Sequence, residues 1–169
     1  GDWSSDVCSS DLGALGIKMA NPDKEVISFV GDGSYLLNNT DIYSSVITKN
    51  KLIIIVCDNG GFAVINRLQL FKGGKEYNNL LKSSNTPGLV DVDFAKHAES
   101  MGAKSEHVTS ISDLEAAFKR AKASDVTYVI SIKTQAYKWV EGSSFWDSPT
   151  LEVPTTKENE EALKLYKEG

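Results

Sequence analysis

The sequence predicts an α/β protein built on a doubly wound parallel sheet, with helices on both faces. Three observations carry that reading. Two apolar runs, Val26-Ile27-Ser28-Phe29-Val30 and Leu52-Ile53-Ile54-Ile55-Val56-Cys57, have the length and β-branched content of buried strands. A helix-like stretch, Thr40 to Lys49, lies between them, which is the strand–helix–strand rhythm of a parallel sheet. Each run also ends in a glycine-rich polar turn: Gly31-Asp32-Gly33-Ser34 after the first, Asp58-Asn59-Gly60-Gly61-Phe62 after the second. Both turns then belong at the carboxyl ends of neighbouring strands, the edge where open α/β sheets bind ligands.

From the start of the chain, Gly1 to Leu12 shows no apolar periodicity and reads as a translated short-read sequencing adapter, so it is set aside from the fold. On that reading the natural protein continues upstream of Gly13. Removing Asp2, Asp6 and Asp11 moves the formal net charge from −5 to −2, and removing Cys8 leaves Cys57 alone. Gly13 to Ala20 reads as the end of a helix packed closely through Gly13 and Gly16, stopped by the turn Asn21-Pro22-Asp23. Phe62 to Leu68 is helix-like. Leu68 to Val90, rich in Gly, Asn, Ser and Pro, is irregular, and either a lid or binding loop carrying Lys72, Lys75 and Tyr77 or a plain surface excursion.

Asp93 is the expected N-cap of a helix from Phe94 to Met101, with Gly102 as its left-handed residue beyond the end. Ala103 to Val108 reads as a short strand. Ser112-Asp113-Leu114-Glu115 fits a capping box, followed by Leu114, Ala117, Phe118 and Ala121 at helical spacing. Thr127 to Lys133, rich in β-branched residues, is a further strand. Trp139, Phe145 and Trp146 fall in an irregular tail, as packing or a subunit contact. Glu158 to Lys167 reads as a charged terminal helix with a solvated face. His97 and His107 have no acid or cysteine at metal spacing and read as structural or solvated. The expected organisation is one domain over 13–153 and a helical tail over 154–169.

Composition narrows the classes of function. With 41% hydrophobic and 24% charged residues the chain suits a globular domain with a proper core. No run approaches the roughly 18 apolar residues of a membrane span. The net charge of −5 argues against a nucleic-acid surface, which needs a basic patch. Cys57 alone forms no disulfide, which fits a reducing cytosol.

The two turns suggest a ligand. Asp32 offers a hard carboxylate oxygen and Asn59 a side-chain carbonyl about one crossover unit later. Magnesium and calcium take oxygen ligands, and magnesium typically takes few from protein, completing its shell with water and phosphate. Gly31, Gly33, Gly60 and Gly61 let backbone turn or approach a ligand closely, and amide groups in such turns favour anionic oxygens. Taken singly, Gly-Asp-Gly is a common turn and Asn-Gly a common hairpin. A hairpin at Asn59-Gly60 would need alternating strands on both sides, and a helix-like segment follows instead. A phosphate-binding P-loop would need Gly-Lys-Ser/Thr after Gly33, and a dinucleotide fingerprint would need glycine where Leu36 stands.

Gly31-Asp32-Gly33 followed by Asn59-Gly60-Gly61 resembles the metal–diphosphate motif of thiamine-diphosphate (ThDP) enzymes. The resemblance implies Asp32, Asn59 and the backbone carbonyl of Gly61 as metal ligands. It places Gly31, Gly33, Ser34, Tyr35, Gly60 and Phe62 around the cofactor. Asp41-Ile42 departs mildly from the Glu-Leu that the family often carries early in the crossover helix. The implied cofactors are ThDP and Mg2+. The implied partners are a small-molecule substrate and a pyrimidine-binding domain of a partner subunit, in a homodimer or homotetramer. The Glu that activates the cofactor, and the apolar residue that bends it, would both lie upstream of Gly13, so this chain is expected to have little activity alone.

Further segments are similar to one branch of the family, the hydrolases that open a cyclic 1,2-dione in myo-inositol breakdown. These are Ile65-Asn66-Arg67-Leu68-Gln69, Val92-Asp93-Phe94-Ala95, Lys104 to Val108, Ser144-Phe145-Trp146 and Leu151-Glu152-Val153. Acetolactate synthase-like decarboxylase–carboligases share several of these features and stay open as an alternative. So does a non-catalytic α/β nucleotide-binding module.

Overall fold

The computed structural model describes residues 10–86, 88–138 and 150–168. They group into two compact units, one of residues 10–59 and 90–134, the other of residues 60–89 and 135–168. Trp139, Phe145 and Trp146 lie outside the described residues, as do Gly1 to Ser9.

The first unit is built on a parallel sheet. Its described elements are α1 (Ser10–Ala20), β1 (Ile27–Gly31), α2 (Asp32–Leu37), α3 (Thr40–Ile47), β2 (Ile53–Asp58), α5 (Phe94–Ser100), β3 (Lys104–Val108), α6 (Ile111–Ala123) and β4 (Tyr128–Lys133), with α4 falling in the other unit. Four described strands run in the order β1-β2-β4-β3, every pair parallel. The solid apolar runs occupy the centre. In β2 and β4 nearly every residue is buried, whereas β1 at the edge alternates between exposed and buried positions.

Because successive strand side chains point to opposite faces, each central strand feeds two cores. Ile54, Val56 and Val129 pack with Val26, Val30, Ala14, Ile42, Phe94 and Ala98 on one face. Ile53, Ile55, Ile130 and Ile132 pack with Val108, Ala117 and Ala121 of α6 on the other. Each such Ile or Val contributes about 1.5–3 kcal/mol on burial, so the central strands carry most of the unit's stability. Helices on both faces confirm the doubly wound α/β reading.

Several element boundaries differ from expectation, each for a local reason. Gly31-Asp32-Gly33-Ser34 is not a free turn: β1 ends at Gly31 and α2 starts at Asp32. Gly31 has φ −75° and ψ 158°, so its lack of a side chain serves no left-handed conformation. The cap of α6 lies two residues before the predicted one. Ser110 accepts from the amide of Asp113 at 3.1 Å and donates to the Asp113 carboxylate at 2.7 Å, so the box is Ser110-x-x-Asp113. At α5 the expectation holds: Asp93 accepts from the Lys96 amide at 3.0 Å, and Gly102 has φ +87°, the left-handed conformation expected of it. His107 Nδ1 shares a hydrogen bond of 3.0 Å with the Ser131 hydroxyl.

The edge strand β3 is tied down by charge. Arg120 of α6 grips Glu106 with both Nε (3.0 Å) and Nη2 (2.6 Å), and the Tyr128 hydroxyl donates to the same carboxylate at 2.6 Å. The Arg120 hydrogen bonds hold the Glu106 carboxyl below its ordinary value of 4.5, with Tyr128 helping and burial opposing.

The second unit contains α4 (Ala63–Phe71), a short 3-10 turn (Leu81–Ser83) and α7 (Lys157–Glu168). The segment read as an irregular excursion is held by side chains. Gln69 donates to the Lys75 carbonyl, Asn66 donates to Glu76 at 3.1 Å, Tyr137 donates to Glu76 at 2.6 Å, and Lys82 lies 3.9 Å over the Tyr137 ring. The terminal helix is more than a solvated face: Asn159 is buried and donates to the Gly73 carbonyl at 2.7 Å.

Two expected outcomes test these assignments. Ser110→Ala should destabilise the protein by about 1 kcal/mol in a urea melt, whereas Ser112→Ala should change it by less than about 0.5 kcal/mol. Glu106 has a lowered folded pKa, so its contribution is present above its unfolded value of 4.5 and is lost as pH falls through the folded one. Glu106→Gln should therefore cost about 1 kcal/mol at neutral pH and flatten the stability profile below pH 4.5.

Candidate functional site

Parallel pairing of β1 with β2 sets Gly31 opposite Cys57, so the residues just beyond each strand end also meet. Asp32, the first residue of α2, is 4% exposed, and its Oδ1 accepts from the backbone amide of Asn59 at 3.2 Å. Burial first, and the nearby charge of Asp32 second, push the thiol of half-buried Cys57 up from its ordinary value, which disfavours its thiolate.

The Asn59 side chain decides what this corner can do. Its Oδ1 is buried and has no hydrogen-bond partner among the described residues. Leaving such an oxygen unsatisfied costs about 1–3 kcal/mol, so it fits a position completed by a ligand. A carbonyl oxygen beside a carboxylate is a donor set for a hard cation. Among the described residues no three of His, Cys, Asp or Glu converge on a metal position. A cation here would lean on few protein oxygens, as magnesium does.

The other expected site residues fall in different places. Gly33 and Ser34 are buried in α2. Tyr35 is 0% exposed, and its ring packs edge-on against Phe94 with centroids 5.2 Å apart. Its hydroxyl bonds His97 Nδ1 at 2.9 Å, which gives His97 the structural role expected of it. The Tyr35 side chain thus anchors α2 to α5.

Gly60, Gly61 and Phe62 begin the second unit. Gly60 and Gly61 have φ of +79° and +138°, and a side chain on Gly61 would collide with the Asn79 carbonyl. That carbonyl accepts from the Phe62 amide at 2.7 Å, and Gly60 accepts from Leu81 at 2.9 Å, forming an isolated bridge between Gly61 and Leu80. Phe62 is partly exposed at 37%.

Three further buried polar groups were not among the expected site residues. Asp58 is buried and pairs with Lys133 Nζ at 2.7 Å, a contact that only the β2–β4 register reveals. Asp41 is buried on α3 with Oδ2 unpartnered among the described residues, and burial raises its carboxyl. Asn66 is 1% exposed on α4. Since its amide donates to the acceptor-only Glu76, its Oδ1 is the atom left without a partner.

At the opposite, amino edge of the strands a shallow pit is lined by Lys18, Asp23, Lys24, Glu25, Val26, Lys51 and Ile53. Two of its ammonium groups bind backbone carbonyls: Lys18 those of Pro22 and Lys24, both at 2.7 Å, and Lys51 that of Lys122 at 2.8 Å. The residues expected to hold a ligand lie at the carboxyl edge.

Comparison with known proteins gives this corner its family. The family described as thiamine pyrophosphate enzyme, C-terminal TPP binding domain, matches residues 13–132, and the chain belongs to it. Among curated relatives, the 3D-(3,5/4)-trihydroxycyclohexane-1,2-dione hydrolase of Bacillus licheniformis is 36% identical over 156 residues, 92% of this chain and 24% of the relative. The enzyme of the same name from Bacillus subtilis is 35% identical over 155 residues, 91% of this chain and 24% of the relative. The chain thus spans about a quarter of the length of these relatives.

Among solved structures, the thiamine diphosphate-dependent 4-hydroxybenzoylformate decarboxylase of Rhodococcus jostii RHA1 is similar with TM-score 0.63 and 29% identity, over 76% of this chain and 23% of that one. The benzoylformate decarboxylase of Polynucleobacter necessarius, 24% identical with TM-score 0.59 over 76% of this chain and 23% of that one, shares the fold.

Gly61→Ala should be the costliest single-methyl change in this corner. A side chain there meets the Asn79 carbonyl in a backbone conformation that L-residues rarely adopt. A loss of about 2 kcal/mol or more in thermal or urea unfolding is expected, and a neutral result would remove the Gly61–Leu80 bridge from the account.

Proposed function

We propose that this chain supplies the diphosphate- and Mg2+-binding half of a ThDP-dependent active site, in an enzyme that opens the ring of trihydroxycyclohexane-1,2-dione by hydrolysis. The observation that carries the cofactor reading is the buried Asn59 Oδ1, without a partner among the described residues, on a residue whose backbone amide bonds the Asp32 carboxylate at the carboxyl edge of β1 and β2. The substrate reading leans on the relatives of that name from Bacillus licheniformis and Bacillus subtilis.

In this proposal Asp32 and Asn59 hold the metal through side-chain oxygens, and the Gly61 carbonyl joins them from the chain two residues on. Asp32 has a second task, since accepting the Asn59 amide orients the residue that carries the other oxygen. Gly31, Gly33, Ser34, Gly60 and Phe62 form the surroundings of the diphosphate, while Tyr35 contributes by fixing α2 from within the core. The bound cofactor supplies a nucleophilic carbon that adds to a substrate carbonyl. The proton-transfer Glu belongs to a pyrimidine-binding domain outside this chain, so the assembled enzyme is a homodimer or larger, working in the cytoplasm, and the chain by itself turns over little substrate.

The likeness to the Rhodococcus jostii decarboxylase supports a second reading, decarboxylation of a 2-oxo acid with the same cofactor half-site. Assaying the longer protein with the cyclic dione and with 2-oxo acids separates the two readings by which substrate disappears.

Titration calorimetry of ThDP, with Mg2+ and with excess chelator, tests the shared core of both. Binding should require the metal, and Asp32→Ala should weaken it by about a hundredfold or more, since even outer-shell partners of metal ligands cost 10–100-fold. Equal binding by the wild type and Asp32→Ala would overturn the proposal in favour of an α/β module without this cofactor.

A further inference from the structure

The chain passes out of the sheet unit after Asn59, returns at Val90 and leaves again after Thr134. One ammonium group stands among all three passages. Lys133, the last residue of β4, places Nζ 2.7 Å from Asp58 Oδ2, one residue before the first exit, and 2.9 Å from Asp91 Oδ1, one residue after the return. Asp58 and Lys133 face each other in the parallel register, and the Thr134 amide donates to the Asp58 carbonyl at 2.7 Å, so the end of β2 is gripped by side chain and backbone together. The Asp58 side chain is 7% exposed and that of Lys133 56%: the cation reaches in from solvent to a carboxylate that has left it.

We infer that Lys133 is a positioning residue for the metal-binding corner: through Asp58 it fixes the backbone from which Asn59 directs its amide to Asp32 and its carbonyl oxygen to the ligand. The inference rests on the proposed cofactor site for its functional meaning, and on the Asp58–Lys133–Asp91 clasp for its mechanics. The clasp adds a side-chain hold to the end of β2, just before the glycine pair Gly60-Gly61, where the backbone amides of Thr134 and Asn59 already make hydrogen bonds. The residue that presents a metal ligand needs its own orientation fixed by such outer partners, which commonly govern affinity as strongly as the ligands. Lys133 itself touches neither metal nor cofactor in this arrangement.

The test separates mechanics from binding. Lys133→Met alone takes the ammonium away from a buried carboxylate and invites unfolding, so the informative variant is the double Asp58→Asn/Lys133→Met, which removes both charges and keeps the strand filled. Amide hydrogen exchange, read residue by residue by NMR on the whole chain, should show Asn59 exchanging about tenfold faster or more in the double variant, with Ile54 and Ile55 as protected as before. Unchanged exchange at Asn59 overturns the inference, and so does a uniform loss of protection throughout β2, which marks a merely structural pair.

In parallel, the Mg2+ concentration for half-maximal ThDP binding should rise about tenfold or more in the double variant, and Lys133→Arg should restore most of the wild-type value. A wild-type Mg2+ midpoint in the double variant counts against the inference. If Asp32→Ala and the wild type bind alike, the cofactor reading falls instead, and the exchange result alone decides whether Lys133 positions Asn59.

Discussion

The parallel register between β1 and β2 is the constraint on which this molecule depends. With Gly31 opposite Cys57, the first residue past β1 and the first past β2 come within a hydrogen bond, Asp32 Oδ1 to the Asn59 amide at 3.2 Å. A slip of one residue would turn every side chain of β1 to the other face, sending Val26 and Val30 out of their core and Asp32 away from Asn59. Hydrophobic burial therefore sets the polar geometry. The two cores hold the register, and the register holds the pair of oxygens.

Buried polar groups elsewhere in the sheet unit are arranged to protect that order. Ser45 and Thr127 share a hydrogen bond of 2.7 Å, and Thr127 also accepts from the Leu52 amide, which closes the polar gap where β2 begins. Tyr35 extends the same principle to α2: a fully buried ring between Phe94 and His97 prevents the helix that starts with Asp32 from drifting. Asn59 Oδ1 and Asp41 Oδ2 break the pattern in this unit, being buried without partners among the described residues. For Asn59 the proposed metal site supplies a chemical reason, since a cation shared with Asp32 would give its oxygen a partner.

Family membership and the quarter-length match to the hydrolases fit a division of labour within one active site. A sheet edge that presents one carboxylate and one amide oxygen can hold a metal and an anionic tail. In the proposed function, acid–base chemistry would come from the cofactor and from groups outside this half. The second unit, with its internally pinned loop and Asn159-anchored terminal helix, shows that the glycine- and asparagine-rich stretch is organised by side chain-to-backbone hydrogen bonds and not by periodicity.

The strands and the helices were legible in the sequence because each depends on local pattern. Apolar runs, helical spacing, and a glycine-rich turn after each strand report directly on burial and chain direction. The cap of α6 was misplaced by two residues, because Ser110 and Ser112 are chemically equivalent and only the helix geometry chooses between them. Tyr35 looked like a neighbour of the phosphates, but the emergence of α2 directly from β1 turns its ring inward. Lys133 and Asp58 are 75 residues apart in the chain and meet because β4 inserts between β2 and β3, a strand order that no local pattern encodes. Sequence alone thus determined which residues carry oxygen to the sheet edge. Tertiary structure decided which of them keep an oxygen open, as Asn59 does among the described residues, and which hold the others in place, since orientation depends on contacts between segments that do not adjoin in the chain.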